Sequence, residues 1–365
     1  KSWYYFKKHS WHSMEKGIYL SMKISEEIVS QYEEMGKNLI TQLSQANDDG
    51  EKAMHNVRLK QVMKIMNNLK SAPYKANVMK ESVEVFYNRD FKKKLDANKW
   101  LIGFKNGVYD LKSNQFREGR PDDYISLQMG VKYNKDLTDN DQSVLDVYEF
   151  LEKVFPDKSV RQYFLDTSSD VFVGGNPNKF VLFWSGEGDN AKSVTQSIFE
   201  KMMGEYAVKL PTSLIIGKRT QSSAACPELV RAGNGVRWAV LQEPDQKDVI
   251  NIGILKELSG NDTFFARGLF KEGGEITPMF KLVLICNEPP QLHNSDKATW
   301  NRIRVIPFEA TFCDDAPDTY EEQLRQKRFP KDPHFASKIP GMLEAFAWVL
   351  LEHRKKIKTR VEPEK

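Results

Sequence analysis

The sequence predicts an α/β fold, a mainly parallel sheet with flanking helices, preceded by a mainly helical N-terminal module. Three observations carry this. The stretch "VLFWSGEGDNAKSVTQSIFEKM" (181–202) runs from an apolar strand through a glycine turn into a helical segment. Further apolar runs at about 236–242, 279–286 and 302–308 alternate with helix-like stretches such as 247–258. Strands that alternate with helices build a parallel sheet covered on both faces. Near the start, Ile24, Ile28, Tyr32, Met35, Leu39 and Leu43 recur at the three- to four-residue steps of an amphipathic helix over 15–45.

The remaining elements follow in order. "ANDDGE" (46–51) is a polar break, a second helix fits 53–70 and ends at Pro73, and a third fits 76–95. In "KWLIGFKNGVYDL" (99–111) two apolar runs flank Asn106-Gly107, the signature of a tight hairpin. "ISLQMGVKYN" reads as another strand. The polar "NKDLTDNDQS" (134–143) marks a boundary, which gives a 1–140 helical module ending in a small β-hairpin region and a 141–365 α/β domain. Within that domain, helices fit 143–155, 158–166, 192–203 and, at the end, 334–356.

Composition excludes several classes. Hydrophobic residues make up 40% and charged residues 28% of 365, a globular balance. The net charge is only +4, from 54 basic and 50 acidic residues, so any nucleic-acid surface must be local. Cys226, Cys286 and Cys313 are far apart and form no C-x-x-C pair, against a zinc site or disulfide framework and in favour of an intracellular setting. No apolar run approaches the roughly 20 residues of a membrane span, and no signal peptide is visible. The start at Lys1 and the charged end read as a fragment of a longer polypeptide.

Residues 186–193 nearly spell the phosphate-binding loop G-x-x-x-x-G-K-[ST], with Ala191 where its last glycine belongs. The strand–turn–helix context is the one this loop requires. Backbone N–H groups of Gly186, Glu187, Gly188, Asp189, Asn190, Ala191 and Val194 and the helix N-terminus form a cavity for phosphate oxygens. Lys192 contacts the β- and γ-phosphates of ATP in this reading, and Ser193 ligates Mg²⁺. Ala191 sits near the helix start, where alanine can be accommodated. The strand "VRWAVLQEPD" ends at Glu243, placed to hold Mg²⁺ or activate water, while Gln242 stands where many such enzymes carry a second acid. "FKLVLICNEPP" ends at Asn287, suited to orient water or sense the γ-phosphate. "WNRIRVIPF" carries Arg302 and Arg304, either able to serve a neighbouring subunit's phosphate.

Taken together, "GEGDNAKS", "VLQEP", "KELSGNDTFFAR", "KLVLICNEPP" and "NRIRVIPF" resemble the ordered motifs of superfamily 3 helicases of the AAA+ class. More narrowly they resemble the helicase part of the poxvirus-type primase–helicases of large DNA viruses, phages and plasmids. The chain departs from that pattern at Ala191 and at Asn301, where an arginine is common. The resemblance implies a homohexameric ring with ATP between subunits, Arg302 acting in trans with Arg304 as the fallback, and movement along single-stranded DNA. It implies a DNA-contacting hairpin within "ARGLFKEGGEITPMFK", with Lys271 near its tip and Arg267 at its base. A primase or other replication proteins are the implied partners, and the host cytoplasm the implied compartment. Three rivals stay open: an AAA+ initiator or packaging ATPase that does not unwind, a small-molecule kinase, and a scaffold with an inactive loop.

Overall fold

The computed structural model describes residues 2–217, 226–233, 235–242, 249–268, 273–290, 292 and 296–357. The chain forms two compact units. One comprises Lys1–Lys7 and Trp11–Lys92, the other Lys8–Ser10 and Lys93–Lys365.

After strand Trp3–Lys7, which pairs with Ser10–Met14, the first unit is helical, as its periodicity requires. Helix Ile18–Lys23 continues through a π-helical turn, Ile24–Ile28, into Val29–Gln45. Asp49–Lys70 follows, with Asp48 as its N-cap accepting from the Glu51 N–H. Its small core gathers Ile24, Val29 and Leu69 around Tyr32, Ile65 and Met66. The expected stop at Pro73 is displaced. The chain breaks at Ser71, and Pro73 lies in the first turn of the next helix, Ala72–Val85. A proline fits there because that turn's N–H groups have no intrahelical acceptor.

The second unit holds the α/β core. Five parallel strands build its sheet: β1 (Val181–Ser185), β2 (Ala207–Leu210), β3 (Trp238–Gln242), β4 (Lys281–Cys286) and β5 (Ile303–Pro307). Their spatial order is β5-β1-β4-β3-β2. In register, Ser185 stands beside Cys286 and Pro307, so the C-terminal ends of β1, β4 and β5 share one edge. The sequence reading missed β2. Its "AVKL" is too short to show a period, and pairing with β3 creates it.

Alternate residues of each strand enter opposite cores. Leu182, Trp184, Trp238, Val240, Val283 and Ile285 face helices α1 (Lys192–Met203) and α2 (Phe335–Lys356). Phe183, Leu210, Leu241, Leu282 and Leu284 face the other way, against Leu255 and Leu258 of helix Ile252–Ser259. This two-sided burial is why the strands read as unbroken apolar runs.

The hairpin at Asn106-Gly107 forms as expected, Leu101–Phe104 against Gly107–Asp110, with Gln115–Arg117 as a third strand. Ile102, Phe104 and Tyr109 share the core of Trp184 and Phe199. Residues 125–134 form no strand. Instead they tie two elements together: Met129 N donates to Gly103 O (2.8 Å) and Gly130 N to Met202 O at the end of α1 (2.9 Å). A Cβ on Gly130 would lie 1.8 Å from Lys201 O, so the approach requires glycine.

Candidate functional site

The loop between β1 and α1 is held from three sides. Gly186 N donates to Asn287 O (3.2 Å), and Phe308 N, just past β5, to Ser185 O (2.7 Å). Asn190, buried at 4% exposure, donates through Nδ2 to Phe308 O (3.2 Å) and accepts at Oδ1 from Lys192 N (3.3 Å). Gly186 is required here, since a Cβ would meet Phe308 O at 2.4 Å. Gly188 is open, with nothing within 4 Å of such a Cβ.

Ala191 adopts the left-handed conformation, φ 64° and ψ 13°. The glycine of the usual pattern therefore serves a conformational need, and position 191 is not an ordinary helix start. Alanine meets that need at a cost of about 1–2 kcal/mol. Its carbonyl is well used, accepting from both Thr195 N and Thr195 Oγ1 (2.9 Å each).

Lys192 is nearly buried, and its ammonium turns back onto the loop. It donates to Gly186 O, to Glu187 O (3.1 Å) and to Asn287 Oδ1 (3.4 Å). Two residues nominated from separate motifs, Lys192 and Asn287, are thus brought together. Cys286, beside Asn287, is buried, and burial pushes its thiol up to about 11 against the opposing pull of the Lys192 charge. It is not a nucleophile at neutral pH.

These groups line a cleft of about 1030 Å³. Gly188, Asp189, Asn190, Ala191, Lys192, Ser193 and Val194 form one wall, with Gln242 and Asn287 beside them. Phe312, Lys331, Phe335 and Met342 form another part of its wall. A short ribbon, Thr311–Cys313 paired with Arg328–Pro330, carries that wall to the loop. Phe312 N donates to Asp189 O (2.7 Å), and Lys331 Nζ pairs with Asp189 Oδ2 (3.2 Å). The hydrogen bond that Lys331 donates to Asp189 raises the Lys331 pKa.

The arginines lie elsewhere. Arg302 precedes β5 at the opposite edge of the sheet, its carbonyl accepting from Val181 N (2.8 Å). Its NH1 donates to Lys256 O (2.9 Å) and Ser259 Oγ (3.1 Å), capping helix Ile252–Ser259. Arg304 stacks on the Phe180 ring at 4.2 Å. Neither lines the cleft. Arg267 ends the exposed face of strand Phe264–Arg267, paired with Gly273 of strand Gly273–Ile276. Glu243 and Lys271 lie outside the described residues.

Sequence reasoning missed Gln196, Phe312 and Lys331. Gln196 is four residues beyond Lys192, on the same helix face, so spacing could have found it. Phe312 and Lys331 carried no local signal. The site's fit to Mg²⁺ rests on its oxygen donors, the Ser193 hydroxyl and the Gln242 amide at the cleft wall. Among the described residues no group of three or more His, Cys, Asp or Glu could hold a metal. No described helix is long and apolar enough to cross a membrane.

Residues 1–156 match the family described as "D5 N terminal like". "Putative helicase 121R" of Invertebrate iridescent virus 3 is 36% identical over 387 residues, covering 96% of this chain and 41% of the relative. A "Putative primase" of African swine fever virus is 23% identical over 344 residues, covering 91% and 34%. The chain thus spans less than half the length of these relatives. Among solved structures, an apo form of the NrS-1 C-terminal region aligns with 60% of this chain and 46% of that one, at a TM-score of 0.42 and 15% identity.

Proposed function

The chain belongs to a family of large-DNA-virus proteins that bear the names "Putative helicase" and "Putative primase", and on that premise we propose that it is the ATP-driven helicase core of a viral replicative primase–helicase. The observation that carries this is the convergence of Lys192 and Asn287 on one loop beneath a large cleft.

The chemistry follows from charge. Phosphoryl transfer spreads negative charge over the γ-phosphate oxygens, and catalysis consists of positioning and stabilising that charge. On binding, the phosphates take Lys192 from the loop carbonyls that hold it. The N-terminus of α1 faces the same oxygens. Ser193 and Glu243 would hold Mg²⁺, which supplies charge neutralisation. Glu243 also orients and polarises the attacking water, and Asn287 reads the γ-phosphate from the β4 end.

Among the described residues no arginine lines the cleft. We assign an arginine's role there to Arg302 of a neighbouring subunit, with Arg304 as the fallback, in a hexameric ring. Lys271 then holds single-stranded DNA by phosphate contacts, and Arg267 positions the hairpin or reaches the DNA secondarily. The helical first unit acts as a collar or link toward a primase region, and the complex works in the host cytoplasm. Strand displacement on a forked duplex, run alongside native mass measurement, tests this: an ATP-dependent, hexameric activity supports the ring, whereas robust ATPase without displacement favours an initiator or packaging motor.

A further inference from the structure

A line of polar side chains runs from the cleft across helix α1. Lys209 of β2 pairs with Glu200 (3.1 Å). Gln196 Nε2 donates to Glu200 Oε1 (2.7 Å), and Gln242 Nε2 donates to Gln196 Oε1 (2.6 Å). The direction of this line is fixed by its end. An ionised carboxylate only accepts, so Gln196 must present its NH₂ to Glu200 and its carbonyl to Gln242. Gln242 must therefore spend its NH₂ on Gln196. Its own carbonyl oxygen takes no part in that bond, and Gln242 stands at the terminus of β3, in the lining of the cleft that also includes Ser193. Gln196 is 3% exposed, so the joint that sets this polarity is shielded from water.

We propose that Gln242 is a positioning residue for the divalent cation, its carbonyl oxygen accepting a hydrogen bond from a water carried by that cation. A neutral dipole of fixed direction thereby replaces the second carboxylate that many such sites place at this strand end. Groups that orient the ligands of a metal contribute substantially to its affinity without touching it. The inference rests on the ATP reading above.

The test titrates a fluorescent ADP analogue into the native chain and into Gln242→Leu, Gln196→Leu and Gln242→Glu, with Mg²⁺ and with a chelator. Without the metal all four bind alike. With Mg²⁺ both leucine variants lose about tenfold or more of the metal-dependent gain, and Gln242→Glu keeps more of it than either, because a carboxylate accepts the water's hydrogen bond although it cannot donate to Gln196 Oε1. Gln242 opens on the cleft, so its variants report even where Gln196→Leu unfolds. Native Mg²⁺ dependence in Gln242→Leu, or native Mn²⁺ affinity of its nucleotide complex by electron paramagnetic resonance, overturns this inference alone. A native chain that binds no nucleotide overturns the ATP reading with it.

Discussion

Lys192 Nζ lies 3.4 Å from Asn287 Oδ1, a hydrogen bond between residues 95 positions apart. It joins the first residue of α1 to the residue that follows β4, and parallel pairing of β4 with β1 makes it possible. The ammonium donates to neutral acceptors, the carbonyls of Gly186 and Glu187 and the Asn287 amide. A polyanion can displace such acceptors; a carboxylate would compete with it.

Asn287→Ala should therefore lower ATP turnover by about 10²–10³, the size expected for one polar contact made to developing charge, while nucleotide affinity changes little. Asn287→Asp should weaken nucleotide binding itself, because its charge pairs with Lys192 and repels phosphate. Equilibrium binding and single-turnover rates separate the two.

The left-handed φ of Ala191 makes a second prediction. Ala191→Gly removes the strain but adds freedom to the unfolded chain worth about 0.4–1 kcal/mol, so its net effect is neutral to about 1.6 kcal/mol stabilising. Ala191→Val should destabilise the second unit, since β-branched residues fit that region worst. Thermal melts followed by the fluorescence of buried Trp184 and Trp238 check both.

Asn190 offers a third. Truncating it to alanine leaves Phe308 O and Lys192 N without their shared partner in a buried setting. A loss of about 1–3 kcal/mol is expected, read as a lower urea midpoint for the second unit.

The fourth concerns pH. Tyr206 Oη accepts from Gly103 N (2.9 Å), and burial raises its pKa above the ordinary 10.0. A raised folded-state pKa means that the unfolded state loses its proton first. Stability is then intact below about pH 10 and falls as pH rises past it. Tyr206→Phe should be less stable at pH 8, through the lost acceptor, and should show a shallower decline above pH 10. Melting temperatures at the two pH values test the sign.

Much of the fold was legible because the core strands are buried on both sides. Runs such as "VLFW" and "KLVLIC" need no partner to be recognised, and the loop's chemistry is contiguous in sequence. What escaped depends on contacts. Strand β2 exists through β3, and the Phe312–Lys331 wall reaches the loop across well over 100 residues, through the ribbon that pairs Thr311–Cys313 with Arg328–Pro330. The backbone at Ala191 was misread because side-chain chemistry does not report φ. The in-chain contacts of Arg302 were equally invisible, for they need the end of helix Ile252–Ser259 brought beside β5.

The most direct test of the central claim is the steady-state ATP hydrolysis rate of the native chain and of Lys192→Ala, each with and without single-stranded DNA. The account predicts DNA-stimulated turnover by the native oligomer and its abolition in the variant. A native oligomer that hydrolyses no ATP, or a variant that retains the native rate, would contradict it.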